Sequence, residues 1–323
     1  MLYINEDHIQ MMGINWESLI QVIRDAVYCL HENDYAQPIK PYLRFKESKN
    51  RIIAMPAYVG GSFNMAGIKW IASFPDNIKN GIPRANSIVI LNDSSTGQPV
   101  VLINTALLSI LRTAAVSGLI LKNYLLHRKH KNLKIGIVGW GPIGKYHFDM
   151  CCKILGDQIS DMFLYDLIHI DQKTVNTVDF KGNLHIAETW EEVYENVDIF
   201  ITCTVSKAPY IDKKPKKGAL LLNVSLRDFK VDIYDYVKGG IVVDDWDEVC
   251  RENTDIERLS DERGLRRDEV YSISDVVLGN CSAFHHSDQT IMFNPMGMAV
   301  FDIAIGSHYL EIARELNIGC HLA

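Results

Sequence analysis

The chain has 323 residues, 47% hydrophobic and 23% charged, with a net charge of -7. That length accommodates about two domains with ordinary cores, and the acidic balance argues against a general nucleic-acid binder or an anionic-membrane binder. No apolar run reaches membrane-spanning length, and Met1-Leu2-Tyr3-Ile4-Asn5-Glu6-Asp7 lacks the basic-then-apolar secretory pattern. Seven scattered cysteines without a Cys-x-x-Cys pair or a metal-like cluster fit a reducing, cytoplasmic setting.

Leu19, Ile23, Ala26, Val27 and Leu30 recur at helical spacing and predict one amphipathic helix. Strand-like runs follow at 51–55, 66–71 and 87–91, with turns at Asn92-Asp93 and Thr96-Gly97. A long, mostly apolar helix is expected over 104–126, ending in the polar segment 127–132, which is taken as a domain boundary. From Leu133 the pattern alternates strand and helix, with buried strands expected at 134–138, 161–165, 198–202, 218–223 and 240–244. Such alternation predicts an α/β fold with a doubly wound parallel sheet. The charged stretch 247–269 reads as a solvated helical region, and apolar spacing from Met298 to Ile312 predicts a final helix.

Gly139-Trp140-Gly141-Pro142-Ile143-Gly144 matches Gly-x-Gly-x-x-Gly directly after a strand and before a helix. In that context the glycines permit a tight turn, backbone approach to a pyrophosphate and close helix–strand packing. The following strand ends in Asp166, which can accept hydrogen bonds from an adenosine ribose. No arginine follows it to meet a 2′-phosphate, so NAD is favoured over NADP. Lys69 interrupts an apolar strand and Arg112 an apolar helix. Together with Lys40, Arg44 and Arg84 they suggest an anion-binding site. Asp228 lies beyond a strand end, where ligands bind in doubly wound sheets. By itself it also reads as a turn or cap residue. Asp244-Asp245 reads as a helix cap and His285-His286 as loop.

Gly67-Ile68-Lys69, Leu111-Arg112-Thr113-Ala114-Ala115, the glycine motif and Asn294-Pro295-Met296-Gly297 carry a further signal. On these residues the chain resembles the ornithine cyclodeaminase/μ-crystallin family over essentially its whole length. The resemblance implies a homodimer of two-domain chains. A Rossmann-type NAD domain would occupy 128–295. A smaller mixed α/β substrate-binding and dimerisation domain would occupy 1–127, joined by the C-terminal helix at about 296–323. It implies that Arg44, Lys69 and Arg112 hold a substrate carboxylate, with Lys40 and Arg84 as further anion-binding residues. Asp228, with Lys69, would carry the catalysis. Arg112, Thr113, Gly139, Gly141, Pro142, Ile143, Gly144, Asp166, Thr204, Val205, Ser225 and Pro295 would meet NAD.

Ornithine cyclodeaminases carry a glutamate shortly before their Met-Pro, and Ala54 is read as standing in its place here, so that ornithine is disfavoured. Gln37 to Arg44, Arg51 to Pro56, Val243-Asp244-Asp245-Trp246 and Asn294 to Ala299 resemble the branch that makes 2,3-diaminopropionate for siderophores and peptide antibiotics. Those are N-(2-amino-2-carboxyethyl)-L-glutamate dehydrogenases, whose carboxylate-rich substrate suits the cations named above. Two alternatives stand beside this expectation. One is another amine or imine oxidoreductase of the family (ornithine cyclodeaminase, alanine dehydrogenase or ketimine reductase). The other is a crystallin-like binding protein without turnover.

Overall fold

The computed structural model describes residues 1–47, 49–128, 132–176 and 180–322; residues 129–131 of the expected linker lie outside the described residues. The chain divides into two compact units, Met1–Arg112 with Gly297–Ala323, and Thr113–Met296.

In the first unit the described residues form an eight-stranded sheet. Its long strands Arg51–Val59, Met65–Ser73 and Ala85–Asp93 run antiparallel and extend the three predicted runs at both ends or one. The strand Pro99–Asn104 was not expected, and it ends where the sequence pattern began the long helix; that helix starts at Leu107. The reason is pairing: Pro99–Asn104 completes a hairpin with Ala85–Asp93 and also pairs with Leu2–Asn5, so its backbone groups go into the sheet.

One face of this sheet is apolar at Met55, Ala57, Val59, Val89 and Leu91, all buried. The helices Trp16–His31 and Ala299–Leu316 pack together, and the second also covers the three long strands. Asn15 caps the first helix by accepting from the Ser18 N–H at 3.1 Å. The second approaches the sheet closely at Gly67, where an added Cβ would lie 2.9 Å from Ile303 Cδ1 and 2.3 Å from the Ile90 carbonyl oxygen.

The second unit holds a second eight-stranded sheet among the described residues, and every strand pair in it is parallel. In spatial order its first five strands are Asn183–Ile186, Ile159–Tyr165, Leu133–Val138, Ile199–Thr202 and Leu220–Asn223. Chain order reverses between Leu133–Val138 and Ile199–Thr202, the switch point at which such sheets bind ligands. All five expected strands are present. Asn183–Ile186, Tyr271–Ser272 and Ile291–Asn294 were missed, being short or bounded by weak turn signals.

The unit boundary falls inside the helix Leu107–His127 rather than after it. From Ser117 onward the helix is tied into the second unit. The Ser117 hydroxyl lies 2.9 Å from His147 Nε2, and the Tyr124 hydroxyl donates to the Gly218 carbonyl at 2.7 Å. Arg128 donates to the carbonyls of Gly218, Ala283, His286 and Gln289. The charged stretch 247–269 is also not simply solvated. Glu248, Asp255, Ile256, Leu259 and Leu265 are buried there, because the short helices Trp246–Val249 and Asp255–Arg263 turn one side to the core. No helix is long and apolar enough to cross a membrane among the described residues.

The packing at Gly67 sets a test. Gly67→Ala forces either the Ile90 backbone or the helix away and should lower stability by about 1–3 kcal/mol, read from denaturant unfolding midpoints at unchanged slope.

Candidate active site

Three of the five predicted cations come together in the first unit. Lys69, on the helix-covered face of its strand, places Nζ 2.7 Å from Asp302 Oδ2 and 3.2 Å from the Ser109 hydroxyl. Arg112 Nε donates to the other oxygen, Asp302 Oδ1, at 3.3 Å. Lys40 Nζ donates to the Gly297 carbonyl at 2.8 Å. Gly297 has φ +87° and lies against the guanidinium, so that an added Cβ would meet Arg112 Nη1 at 2.7 Å. All four charged side chains are buried, Asp302 at 0% exposure. Burial lowers the Lys69 ammonium to about 7; Asp302 raises it, while Arg112 and Lys40 push it down further.

Arg84 stands immediately before the strand Ala85–Asp93. Arg44 pairs across the sheet with Arg51, on the same face as Lys69 but nearer the sheet's edge, and its guanidinium stacks over Tyr42 at 5.2 Å. The register also corrects the reading of Ala54. Ala54 lies opposite Trp70, so its side chain occupies the face away from Lys69. The residues of that strand that share Lys69's face are Arg51, Ile53, Met55, Ala57 and Val59, none of them a carboxylate. The absence of a carboxylate on the face shared with Lys69 thus lies with Ile53 and its neighbours, and Ala54 does not bear on it.

In the second unit, Gly139 takes φ +98°, with the Cys203 carbonyl oxygen 2.5 Å from where a Cβ would stand. Gly144 leaves even less room, 2.0 Å to the Gly139 carbonyl oxygen, whereas nothing lies within 4 Å at Gly141. Gly141 is the N-cap of the helix Pro142–Leu155 and supplies no side-chain cap. An uncapped helix start beside open space fits a pyrophosphate. Asp166 accepts from the Trp140 N–H at 2.6 Å and from the Ile168 N–H at 2.8 Å, which fixes its carboxylate beside the glycine turn.

Asp228 is fully buried. It accepts from the Ser225 hydroxyl at 2.5 Å, and from the Thr204 hydroxyl at 2.6 and 2.8 Å. Burial raises its carboxyl above the usual range; Ser225 and Thr204 act in the opposite direction, helped by Arg227 and Arg258. Thr204 and Ser225, expected to meet NAD, thus commit their hydroxyls to Asp228 here. Val205 is exposed, Thr113 half-buried and Pro295 buried. Asp245 caps its helix through the Glu248 N–H, but Asp244 instead accepts from the Met296 N–H at 2.9 Å and so does not cap.

The model of the ornithine cyclodeaminase/mu-crystallin family matches residues 7–315. The chain belongs to that family. Over the whole chain and 98% of the relative's length it is 33% identical to N-((2S)-2-amino-2-carboxyethyl)-L-glutamate dehydrogenase of Staphylococcus aureus. It is 24% identical to alanine dehydrogenase of Archaeoglobus fulgidus, over 98% of the chain and 97% of the relative. Among solved structures, Thermococcus litoralis Delta(1)-pyrroline-2-carboxylate reductase, in complex with NADH and L-proline, superimposes with a TM-score of 0.88 at 22% identity, with each chain covered in full. An archaeal alanine dehydrogenase dimer with bound NAD gives 0.86 at 23% identity, covering 100% of this chain and 98% of that one. These relatives are dehydrogenases and reductases, and this family member is an enzyme of the same kind.

Sequence reasoning missed two acidic residues of this family member's candidate site. Asp302 was hidden in an apolar helix, although an acid inside such a run is itself a sign of a buried partner. Asp255 was hidden in a charged stretch. Its carboxylate accepts from Asn223 Nδ2 at 2.8 Å and from the Phe229 N–H at 3.4 Å, so it braces the loop that carries Asp228. Burial lifts Asp255 to about 6. The same loop holds the buried Leu226 at φ +65°, a strained conformation kept by the Leu226 N–H bond to Asn223 Oδ1 at 3.2 Å.

The Asp166 geometry predicts cofactor choice. Asp166→Ala takes away a carboxylate beside the glycine turn that would repel a 2′-phosphate, so the ratio of NADP to NAD dissociation constants should fall, as measured by fluorescence titration.

Proposed function

We propose that this chain is an NAD-dependent dehydrogenase of N-(2-amino-2-carboxyethyl)-L-glutamate, releasing 2,3-diaminopropionate, 2-oxoglutarate and NADH for siderophore or peptide-antibiotic synthesis. The observation that carries the reading is the buried Lys40–Lys69–Arg112 cluster, a site built to take carboxylate, in a chain 33% identical along its whole length to an enzyme of that name. The strand face beside Lys69 offers apolar side chains and an arginine, which disfavours the side-chain ammonium of ornithine, a cation with no carboxylate next to it.

In this reading Lys69 and Arg112 pair with the substrate's carboxylate and fix its orientation, and Lys40 adds positive charge on the same side. Arg44 and Arg84 serve the more distal carboxylates. Gly139, Gly141, Pro142, Ile143 and Gly144 hold the NAD pyrophosphate, Asp166 the adenosine ribose, and Arg112, Thr113, Thr204, Val205, Ser225 and Pro295 the rest of the cofactor. The bound nicotinamide supplies a hydride acceptor. Asp228 takes the proton of the substrate's secondary amine as the C–H bond of the glutamate moiety is broken, giving an imine. Asp228 returns that proton to the imine nitrogen, takes one from the water that adds to the imine carbon, and passes it to the amine nitrogen as the C–N bond breaks and the carbinol O–H proton is lost, releasing keto acid and amine. Ser225 and Thr204 keep the carboxylate aimed while it changes charge.

A second copy of the chain covers the other face of the first unit's sheet. Leu43, Ala54, Pro56, Ile68 and Trp70 share that face, with Leu43 and Trp70 half or nearly half exposed at 50% and 40%. A shallow, open depression lies there, lined by Ala36, Pro38, Pro56, Tyr58, Ala66 and Ile68. An apolar face of this extent supports a homodimer. The free thiols support a cytoplasmic location.

The decisive assay is stoichiometric NADH formation across a panel containing N-(2-amino-2-carboxyethyl)-L-glutamate, alanine, proline and ornithine. The first should turn over and ornithine should not; the reverse ranking overturns the assignment. Asp228→Asn should lower kcat by about 10²- to 10⁴-fold with little change in NAD affinity. Because the base must be ionised and its pKa is raised, wild-type kcat/KM should fall as pH drops through that raised value, and the Asp228→Asn chain should lack this limb. For the dimer, Trp70→Glu places a charge on the apolar face and should shift the species seen by sedimentation from dimer to monomer.

A further inference from the structure

The anion-binding cluster contains an anion. Asp302 reaches Lys69 with one carboxylate oxygen and Arg112 with the other, and no part of it is exposed. A carboxylate at this point is not explained by substrate binding, since it competes for the cations that a substrate carboxylate requires. It is explained by what the cations need in its absence. Lys69 lies on the inner face of a sheet, with Met55 and Val89 beside it on the neighbouring strands. The charged and polar groups that face it are Asp302 from the C-terminal helix, Arg112 and Ser109 from the helix Leu107–His127, and Lys40 from the segment before the strand Tyr42–Arg44. Of these, Asp302 alone carries a charge opposite to its own.

We propose that Asp302 is a positioning residue of the carboxylate site: it keeps Lys69 an ammonium and holds Lys69 and Arg112 as a pair aimed at one substrate carboxylate. This rests on the functional reading above for the identity of the substrate. Burial and two neighbouring cations drive Lys69 toward the neutral amine, and Asp302 opposes them. The two-oxygen bridge joins an arginine and a lysine that lie on different elements. One carboxylate can set their separation, leaving the remaining N–H groups of both for the ligand.

The sign of the pH dependence follows. The folded-state pKa of Lys69 is lowered to about 7 from an ordinary 10.5. Between these values the unfolded chain binds one more proton at this site than the native chain, so stability rises with pH across that window. Below about 7 native wild-type Lys69 takes up its proton and the slope vanishes. Without Asp302 the folded pKa falls further, and the loss of stability continues to lower pH.

The test uses the full-length chain with NAD at a fixed saturating concentration. With N-(2-amino-2-carboxyethyl)-L-glutamate as substrate, Asp302→Asn should raise KM by about 10- to 100-fold near neutral pH, with a much smaller change in kcat. The pH at which wild-type KM begins to climb should move lower in the variant. Thermal unfolding from pH 5 to 9 provides a readout that needs no substrate. The Tm gap between wild type and Asp302→Asn should widen below neutral pH, and Asp302→Asn combined with Lys69→Met should abolish that widening. A gap independent of pH overturns the proposal, as does an unfolded Asp302→Asn chain that Lys69→Met does not rescue, or an unchanged KM. Should the wild-type chain fail to turn over this substrate, the functional reading falls, and the unfolding series still decides the role of Asp302.

Discussion

The buried ion bridge Lys69–Asp302–Arg112 is the constraint around which the first unit is built. Three charged groups are withdrawn from water, and each would be strongly destabilising alone. Their mutual pairing makes the arrangement tolerable, and it requires three distant parts of the chain to converge: a sheet strand, the start of a long helix and the C-terminal helix. Gly67 lets the last of these approach the sheet, and Gly297 leaves space for the guanidinium just before that helix begins. The Lys40 bond to the Gly297 carbonyl ties a fourth segment to the same point. The cation cluster is therefore also a structural junction, with its charges already partnered inside the protein.

The second unit solves a different problem. Its parallel strands end at a common edge, and the loops there hold backbone in conformations that few residues accept. Gly139 and Gly144 remove side chains where main-chain atoms stand within 2.5 Å and 2.0 Å of a would-be Cβ. Leu226 has no such freedom and is held by bonds to Asn223 and Asp255. Asn223 also donates to Asn294 Oδ1 at 2.8 Å, joining two strand ends beneath the Asp228 loop. A buried carboxylate on a strained loop, Asp228, keeps its position because the polar network behind it is satisfied.

Much of this was legible from local pattern. The glycine motif reads directly, since each glycine answers to a steric requirement within a few residues of itself. Five strands of the parallel sheet read as apolar runs, four of them buried along nearly their whole length. Lys69 and Arg112 stood out as cations in apolar surroundings. What did not read were features whose cause is remote in sequence. Asp302 is 233 positions from the lysine it pairs with, and Asp255 lay within a stretch whose charge resembled a solvated surface. Ala54 was assigned to the substrate side on its place in a motif, and one residue of register puts it on the opposite face.

The sequence by itself determined the fold class, the nucleotide turn and the residue types available for carboxylate recognition and proton transfer, because periodicity and backbone sterics act over short spans of chain. Tertiary structure alone decided which cations meet, that a carboxylate lies between two of them, which strand face looks toward Lys69, and which hydroxyls hold Asp228. Those outcomes depend on sheet register and on burial. Both arise from contacts between segments far apart in the chain, and burial in particular turns an ordinary lysine or aspartate into a group whose charge depends on one neighbour.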